Sequence, residues 1–240
     1  MSVVEEIYRK NPKREPITSC MRRRRILSLT KSLTDSGKEG RHPVIAEFKR
    51  SSPSGFSIPH GMEMHVYFEK ILHFGISGIS VLTEPDYFHG SYSDLLEASV
   101  LDIPVLAKDF ISSREMILSS YYAGADAILL IADFLSEEQL RNLSGYAMDL
   151  GLEVVTEFHS ISMVEKCKPN TYSILGYNRR NLSTMQIEDE TETVITRIKG
   201  KPGIKILESG LDYTDIPSLY RENFSGFLIG TSMLNRMGAA

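Results

Sequence analysis

From residue 43 onward the chain repeats one pattern eight times: a short apolar run, then a longer stretch whose apolar residues recur with helical period. The runs occupy 44–48, 78–82, 104–107, 127–131, 152–156, 173–176, 205–207 and 226–229. The stretches between them predict helices near 62–74, 92–100, 112–123, 136–149, 160–166, 189–199 and 213–222, with a short last one from Thr231. Ser136 and Gln139 stand at the spacing of a capping box and mark one helix start. Strands that alternate with helices pair in parallel through right-handed crossovers. Eight such units predict an α/β chain folded as a closed (β/α)8 TIM barrel, for which 240 residues is an ordinary length. An open doubly wound sheet is the alternative, but its glycine-rich dinucleotide fingerprint is absent. Ser36-Gly37-Lys38 lacks the upstream glycine of a P-loop, and there is no HExxH.

The first 40 residues stand outside this repeat. They read as an N-terminal helical extension, with a helix from about Ile17 to Leu33 and a flexible connector at Ser36-Gly37-Lys38-Glu39-Gly40. Charge divides the same way: residues 1–50 carry a balance of +7 and the rest −11, for a net −4. Arg22-Arg23-Arg24-Arg25 could be an anion or nucleic-acid patch, but no aromatic residue interleaves it. The preferred reading is a segment solvated or paired internally against the acidic body, with no nucleic-acid partner. No apolar run is long enough to span a bilayer, and the N-terminus lacks an apolar signal core. Cys20 and Cys167 have no ligand spacing, which fits a reducing, cytoplasmic setting.

In a parallel barrel the functional groups collect at the C-terminal ends of the strands. The first run ends Glu47-Phe48-Lys49, which alternation puts on one face for Glu47 and Lys49. The third ends in Lys108, the fifth in Glu157, the sixth in Asn178 and the seventh in Glu208. If the strands close, these six groups meet at one mouth, where lysine and carboxylate neighbours shift each other's pKa and suit acid–base work. The competing reading is a structural ring of ion pairs. Glu208-Ser209-Gly210 and Gly230-Thr231-Ser232 follow runs seven and eight, the usual phosphate site of this fold. His159 is expected to act structurally, Met233 and Met237 to pack the last helix, and Ser51 and Ser54 to cap the loop after run one.

Several of these segments, in order, resemble indole-3-glycerol phosphate synthases: Ile45-Ala46-Glu47-Phe48-Lys49-Arg50-Ser51-Ser52-Pro53-Ser54-Gly55, Pro104-Val105-Leu106-Ala107-Lys108-Asp109-Phe110-Ile111, Gly176-Tyr177-Asn178-Arg179-Arg180-Asn181-Leu182, Glu208-Ser209-Gly210 and Phe227-Leu228-Ile229-Gly230-Thr231-Ser232. The resemblance covers roughly 41–234. It implies ring closure with loss of carbon dioxide and water from 1-(2-carboxyphenylamino)-1-deoxyribulose 5-phosphate, in tryptophan biosynthesis. It implies neither a metal nor an organic cofactor, a small phosphorylated substrate, no membrane, and a monomer or homodimer. It further implies one domain over 1–240, with 1–40 lying over the barrel mouth.

By that resemblance Lys108 is the general acid, with Lys49 as rival, and Glu157 acts in the later proton transfers. Glu47 and Glu208 position the lysines and substrate hydroxyls, and Asn178 bonds at the reacting centre. Ser52, Ser209, Gly210, Gly230 and Thr231 hold the phosphate, and Arg180 the aryl carboxylate. Pro53, Phe88, Phe110, Leu129 and Leu182 wall the aromatic ring. Asn178 is followed by Arg179 where the family commonly has Asn or Ser, a charge expected to alter carboxylate binding; Thr231 replaces a commoner Ser. The final helix is expected to be cut short. Three other readings remain: a phosphoribosylanthranilate isomerase, which would want a Cys/Asp pair; a Schiff-base aldolase using Lys108; and a binding protein that holds the ligand without turnover.

Overall fold

A computed structural model gives the architecture; it describes residues 2–17, 21–53, 55, 57–58, 63–182, 184–230 and 232–233. Eight parallel strands close on themselves: β1 (Val44–Phe48), β2 (Gly78–Leu82), β3 (Val105–Lys108), β4 (Ala127–Ile131), β5 (Glu153–Phe158), β6 (Ile174–Asn178), β7 (Ile204–Glu208) and β8 (Gly226–Ile229). Closure is made by β1 against β8, with Ile45 opposite Leu228. β8 pairs with both β7 and β1, and of the segment that follows it 232 and 233 are described.

The crossovers are α3 (Met64–Leu72), α4 (Tyr92–Ala98), α5 (Arg114–Tyr122), α6 (Glu137–Asp149), α7 (Thr191–Ile198) and α8 (Ser218–Asn223), while Ile161–Lys166 winds as a 3-10 helix. Serines start several of them. Ser91 and Ser113 accept from backbone N–H groups of the first turn, and Ser136 forms the expected capping box with Gln139. Alternation then sorts the strand residues. Val44, Ala46, Phe48, Val81, Ala107 and Leu130 face the helices, whereas Ile45, Leu106, Val155 and Ile206 fill the interior.

The N-terminal segment departs from expectation. Its helices are α1 (Val3–Lys10) and α2 (Leu29–Lys38), and 21–28 is extended rather than helical. The physical reason lies in the arginines. Arg22 and Arg24 both pair with buried Asp126 at 2.7 Å, and donate further to the carbonyls of Tyr121, Ala125, Ser99, Leu101 and Ile103. Those bonds require an extended backbone and outweigh a modest helix propensity. Ser28 then caps α2, which runs through Ser36-Gly37-Lys38, so no flexible connector forms there.

The extension also divides between the two ends of the barrel. Leu29 and Leu33 of α2 lie against Gly78 and Gly226, the first residues of β2 and β8, and Ser28 and Thr30 bond Glu153 at the start of β5. At the opposite end, Tyr8 of α1 stacks on Phe134 and meets Phe110 edge-on. Arg14 pairs with Asp109 at 2.6 Å and Asn11 donates to the same carboxylate, tying the segment to the end of β3.

Candidate active site

The inward position at the C-terminal end of each odd strand carries a charged side chain: Glu47, Lys108, Glu157 and Glu208. Barrel interiors are filled in layers of four from alternate strands, and such layers are ordinarily apolar. Here one layer consists of three carboxyls and an ammonium, seated on Ile45, Leu106, Val155 and Ile206 two residues earlier. Burying charge is tolerable only when it is paired. Lys108 Nζ lies 3.0 Å from Glu47 Oε2 and 3.1 Å from Glu208 Oε2, and Lys49 Nζ lies 2.8 Å from Glu47 Oε1.

Two glycines make room for these carboxylates. A Cβ at Gly230 would stand 2.7 Å from Glu47 Oε1, and one at Gly176 would stand 2.7 Å from Glu208 Oε1. Neither approach is possible for a residue with a side chain unless the carboxylate moves.

Around Glu157 the polar groups form a chain. Ser209 Oγ donates to Asn178 Oδ1 at 2.7 Å, and Asn178 Nδ2 donates to Glu157 Oε1 at 3.2 Å. The Arg180 N–H also donates to Asn178 Oδ1, so the amide orientation is fixed. His159 Nε2 lies 3.1 Å from Glu157 Oε1, and its Nδ1 lies 3.1 Å from Asp133.

These contacts set the protonation states. Burial would raise the Glu47 carboxyl, but Lys108 and Lys49 outweigh it and hold it far below the usual carboxylate range. Burial disfavours charge on Lys108, yet Glu47, Glu208 and Glu157 together raise it above an ordinary lysine. Burial also acts against His159, and Asp133 and Glu157 overcome it to bring the imidazole up to about 10. Glu157 and Glu208 shift each other in opposite directions. Burial and the Glu157 carboxylate push Glu208 up to about 8. In Glu157 burial is outweighed by His159 and then Lys108, which bring it down to about 2. Of the two carboxyls, Glu208 therefore binds its proton the more tightly.

Above the layer opens a cavity of about 670 Å³. Of the residues expected from sequence, Glu47, Lys49, Ser52, Phe88, Lys108, Phe110, Leu129, Glu157, Asn178, Arg180, Leu182, Ser209, Gly210 and Gly230 line it. Glu208 sits just beneath, fully buried and bonded to Lys108. Pro53 is exposed and outside the lining. Thr231 falls outside the described residues, as do Cys20, Ser54 and Met237. Ser51 bonds Tyr87 and His89, and Met233 is buried in the outer core. Arg179 corrects the expectation of a charge near the substrate carboxylate. Its side chain is buried, is not part of the lining, and is taken up by protein acceptors.

Sequence reasoning missed Leu82, Ile131 and Met185 in the wall, and Tyr8 of α1 behind Phe110. Apolar wall positions carry no chemical signature. For α1 a signal existed: Ser2 and Glu5 form a capping box. Among the described residues, no group of three or more His, Cys, Asp or Glu is placed to hold a metal ion, and no helix is long and apolar enough to cross a membrane.

The class so defined is a (β/α)8-barrel enzyme with a layer of charged groups on the strand ends beneath a cavity. A family model described as indole-3-glycerol phosphate synthase matches residues 3–239. An indole-3-glycerol phosphate synthase of Picrophilus torridus is 40% identical over 233 residues, covering 97% of this chain and 92% of that protein. One of Thermoplasma volcanium is 36% identical, covering 98% and 94%. The chain belongs to the indole-3-glycerol phosphate synthase family, carboxy-lyases of tryptophan biosynthesis. Among solved structures, a tryptophan synthase subunit alpha from Legionella pneumophila shares the barrel with a TM-score of 0.61 at 12% identity, over 86% of this chain and 87% of that one; this likeness concerns the fold alone.

Proposed function

We propose that the cavity closes the indole ring of 1-(2-carboxyphenylamino)-1-deoxyribulose 5-phosphate, releasing carbon dioxide and water. The observation that carries this reading is the buried Lys108, held protonated between Glu47 and Glu208 and facing a cavity with an apolar wall on one side and the 209–211 and 230 loops on the other.

Phe88 and Phe110, with ring centroids 5.9 Å apart, and Leu129 and Leu182 take the aromatic ring. Arg180 takes the aryl carboxylate. Ser52, Ser209, Gly210, Gly230 and Thr231 take the phosphate. Fixing both ends brings the ring carbon to the ribulose carbonyl, which supplies on the order of several kcal/mol of the barrier. As the carbon–carbon bond forms, the carbonyl oxygen gains negative charge and takes a proton from Lys108. The bond to the carboxylate then breaks, its electron pair returns to the ring, and carbon dioxide leaves.

Dehydration needs an acid and a base of separated pKa. Glu208 supplies the proton that lets the new hydroxyl leave as water, and Glu157, kept anionic by His159, takes a proton from the adjacent carbon. Proton exchange between the two carboxyls restores both, and Lys108 is recharged from solvent. Lys49 steadies Glu47 and faces the substrate carboxylate and phosphate region. A cytoplasmic setting belongs to this reading.

The test is direct. The substrate is added to the protein and indole fluorescence is followed, with borohydride added in parallel. Indole fluorescence rising with one equivalent of carbon dioxide, and no trapped lysine adduct, supports the proposal. A trapped adduct would indicate aldolase chemistry, and binding without turnover would indicate an idle ligand carrier.

A further inference from the structure

We propose that Arg179 is a positioning residue that shapes the phosphate-binding edge of the cavity by gripping the backbone carbonyls of Ser209 and Gly210 from behind; this rests on the phosphate assignment made above. The guanidinium is buried, at 6% exposed. Its Nε and Nη2 donate to Ser209 O at 3.2 and 2.8 Å, and Nη2 donates to Gly210 O at 2.9 Å. Nη1 donates to Asp189 Oδ2 at 3.0 Å and to the Tyr220 hydroxyl at 3.2 Å. An arginine has five N–H donors, and these five bonds occupy all of them. None is left for a ligand, so Arg179 can act on substrate only through the loop it holds.

The clamp is fixed from outside as well. The Tyr220 hydroxyl donates to Asp189 at 2.9 Å, and the Tyr220 ring lies 5.3 Å from the guanidinium carbon. This network joins the ends of β6 and β7 to the 189–191 turn and α8. On the loop, Ser209 and Gly210 have φ of +69° and +65°. Positive φ is uncommon for a residue with a side chain, so Ser209 needs its surroundings to hold it there. A Cβ on Gly210 would meet Arg179 Nη2 at 3.1 Å, so a side chain there would crowd the guanidinium.

The consequence follows from peptide planarity. In a trans peptide the N–H points opposite to the C=O. With the carbonyls of 209 and 210 drawn toward Arg179, the N–H groups of Gly210 and Leu211 point away from it, on the side where Ser209, Gly210 and Leu211 line the cavity. Among the described residues neither N–H has a hydrogen-bond acceptor. Two adjacent unpaired N–H groups facing a cavity suit a phosphate monoester dianion. Arg179 contributes order to them rather than a direct bond to the anion.

The experiment uses the full chain with Arg179→Met, which keeps most of the stem, Arg179→Lys, and Tyr220→Phe, which removes only one hydroxyl from the clamp. Steady-state kinetics give KM and kcat; calorimetry gives the affinity for inorganic phosphate without reference to turnover. For Arg179→Met the expected result is a KM raised tenfold or more, phosphate affinity weakened in parallel, and kcat within threefold. Arg179→Lys should recover part of that loss, and Tyr220→Phe should raise KM a few-fold in the same direction. Unchanged KM and phosphate affinity in the Met variant would overturn the proposal, as would a fall in kcat at constant KM. If the Met variant does not fold, Tyr220→Phe decides: unchanged phosphate affinity there counts against it. Failure of the unaltered protein to make indole would instead strike the ring-closure reading, while the calorimetric comparison still judges the clamp.

Discussion

Gly230 shows how closely binding and chemistry are joined at the level of single residues. Read from sequence, it belongs to a phosphate loop, and a bulkier residue there should chiefly raise KM. The structure adds that its missing Cβ leaves space for Glu47, whose Oε1 would be only 2.7 Å away. Glu47 in turn bonds both Lys49 and Lys108. Gly230→Ala is therefore expected to lower kcat about tenfold or more, on the scale of a disturbed acid–base group, as well as raise KM. A KM effect alone in steady-state kinetics would show that Glu47 gives way without cost. In the proposed mechanism Glu208 carries the pH dependence. Burial and Glu157 push it up to about 8, so it keeps its proton below that pH and loses it above. kcat/KM reports groups of the free enzyme, and it should fall on the alkaline side with a midpoint near 8. Glu208→Gln should lower activity and remove that limb; a limb that persists in the variant assigns the titration elsewhere.

Among the elements, the strands were legible in the sequence and the N-terminal segment was not. An inward position two residues from the next is fixed by the pleat, so Glu47, Lys108, Glu157, Asn178 and Glu208 could be placed at strand ends from their order alone. Helix starts were legible where a serine capped them. Of the helix expected over 17–33, residues 29–33 are helical, 18–20 lie outside the described residues, and 21–28 is extended because Arg22 and Arg24 pair with Asp126, distant in sequence and just before β4. Asp126 binds both arginines and also accepts the N–H groups of Leu27 and Val105. Asp126→Ala leaves two buried guanidinium groups without their anion and should destabilise the fold by about 3–5 kcal/mol. Denaturant unfolding checks this; a loss under about 1 kcal/mol, typical of an exposed pair, would mean the strap is only loosely held.

At the scale of the whole molecule, the barrel brings distant stretches of chain into one charged layer and separates two duties. The end at which the strands begin is closed by α2, with Leu29 and Leu33 over the first residues of β2 and β8. The other end is left open as a cavity, with α1 packed beside Phe110 and Phe134. That the two halves of one short extension serve opposite ends could not be read from sequence, since each is only an amphipathic helix until the barrel exists to receive it.

The proposed role of Lys108 as the proton donor at the centre of that layer is tested most directly by the turnover of Lys108→Ala, followed by indole fluorescence at saturating substrate. The expected result is a fall in kcat of roughly 10²–10⁴ with the cavity still binding inorganic phosphate. Turnover within a few-fold of the unaltered protein would contradict it.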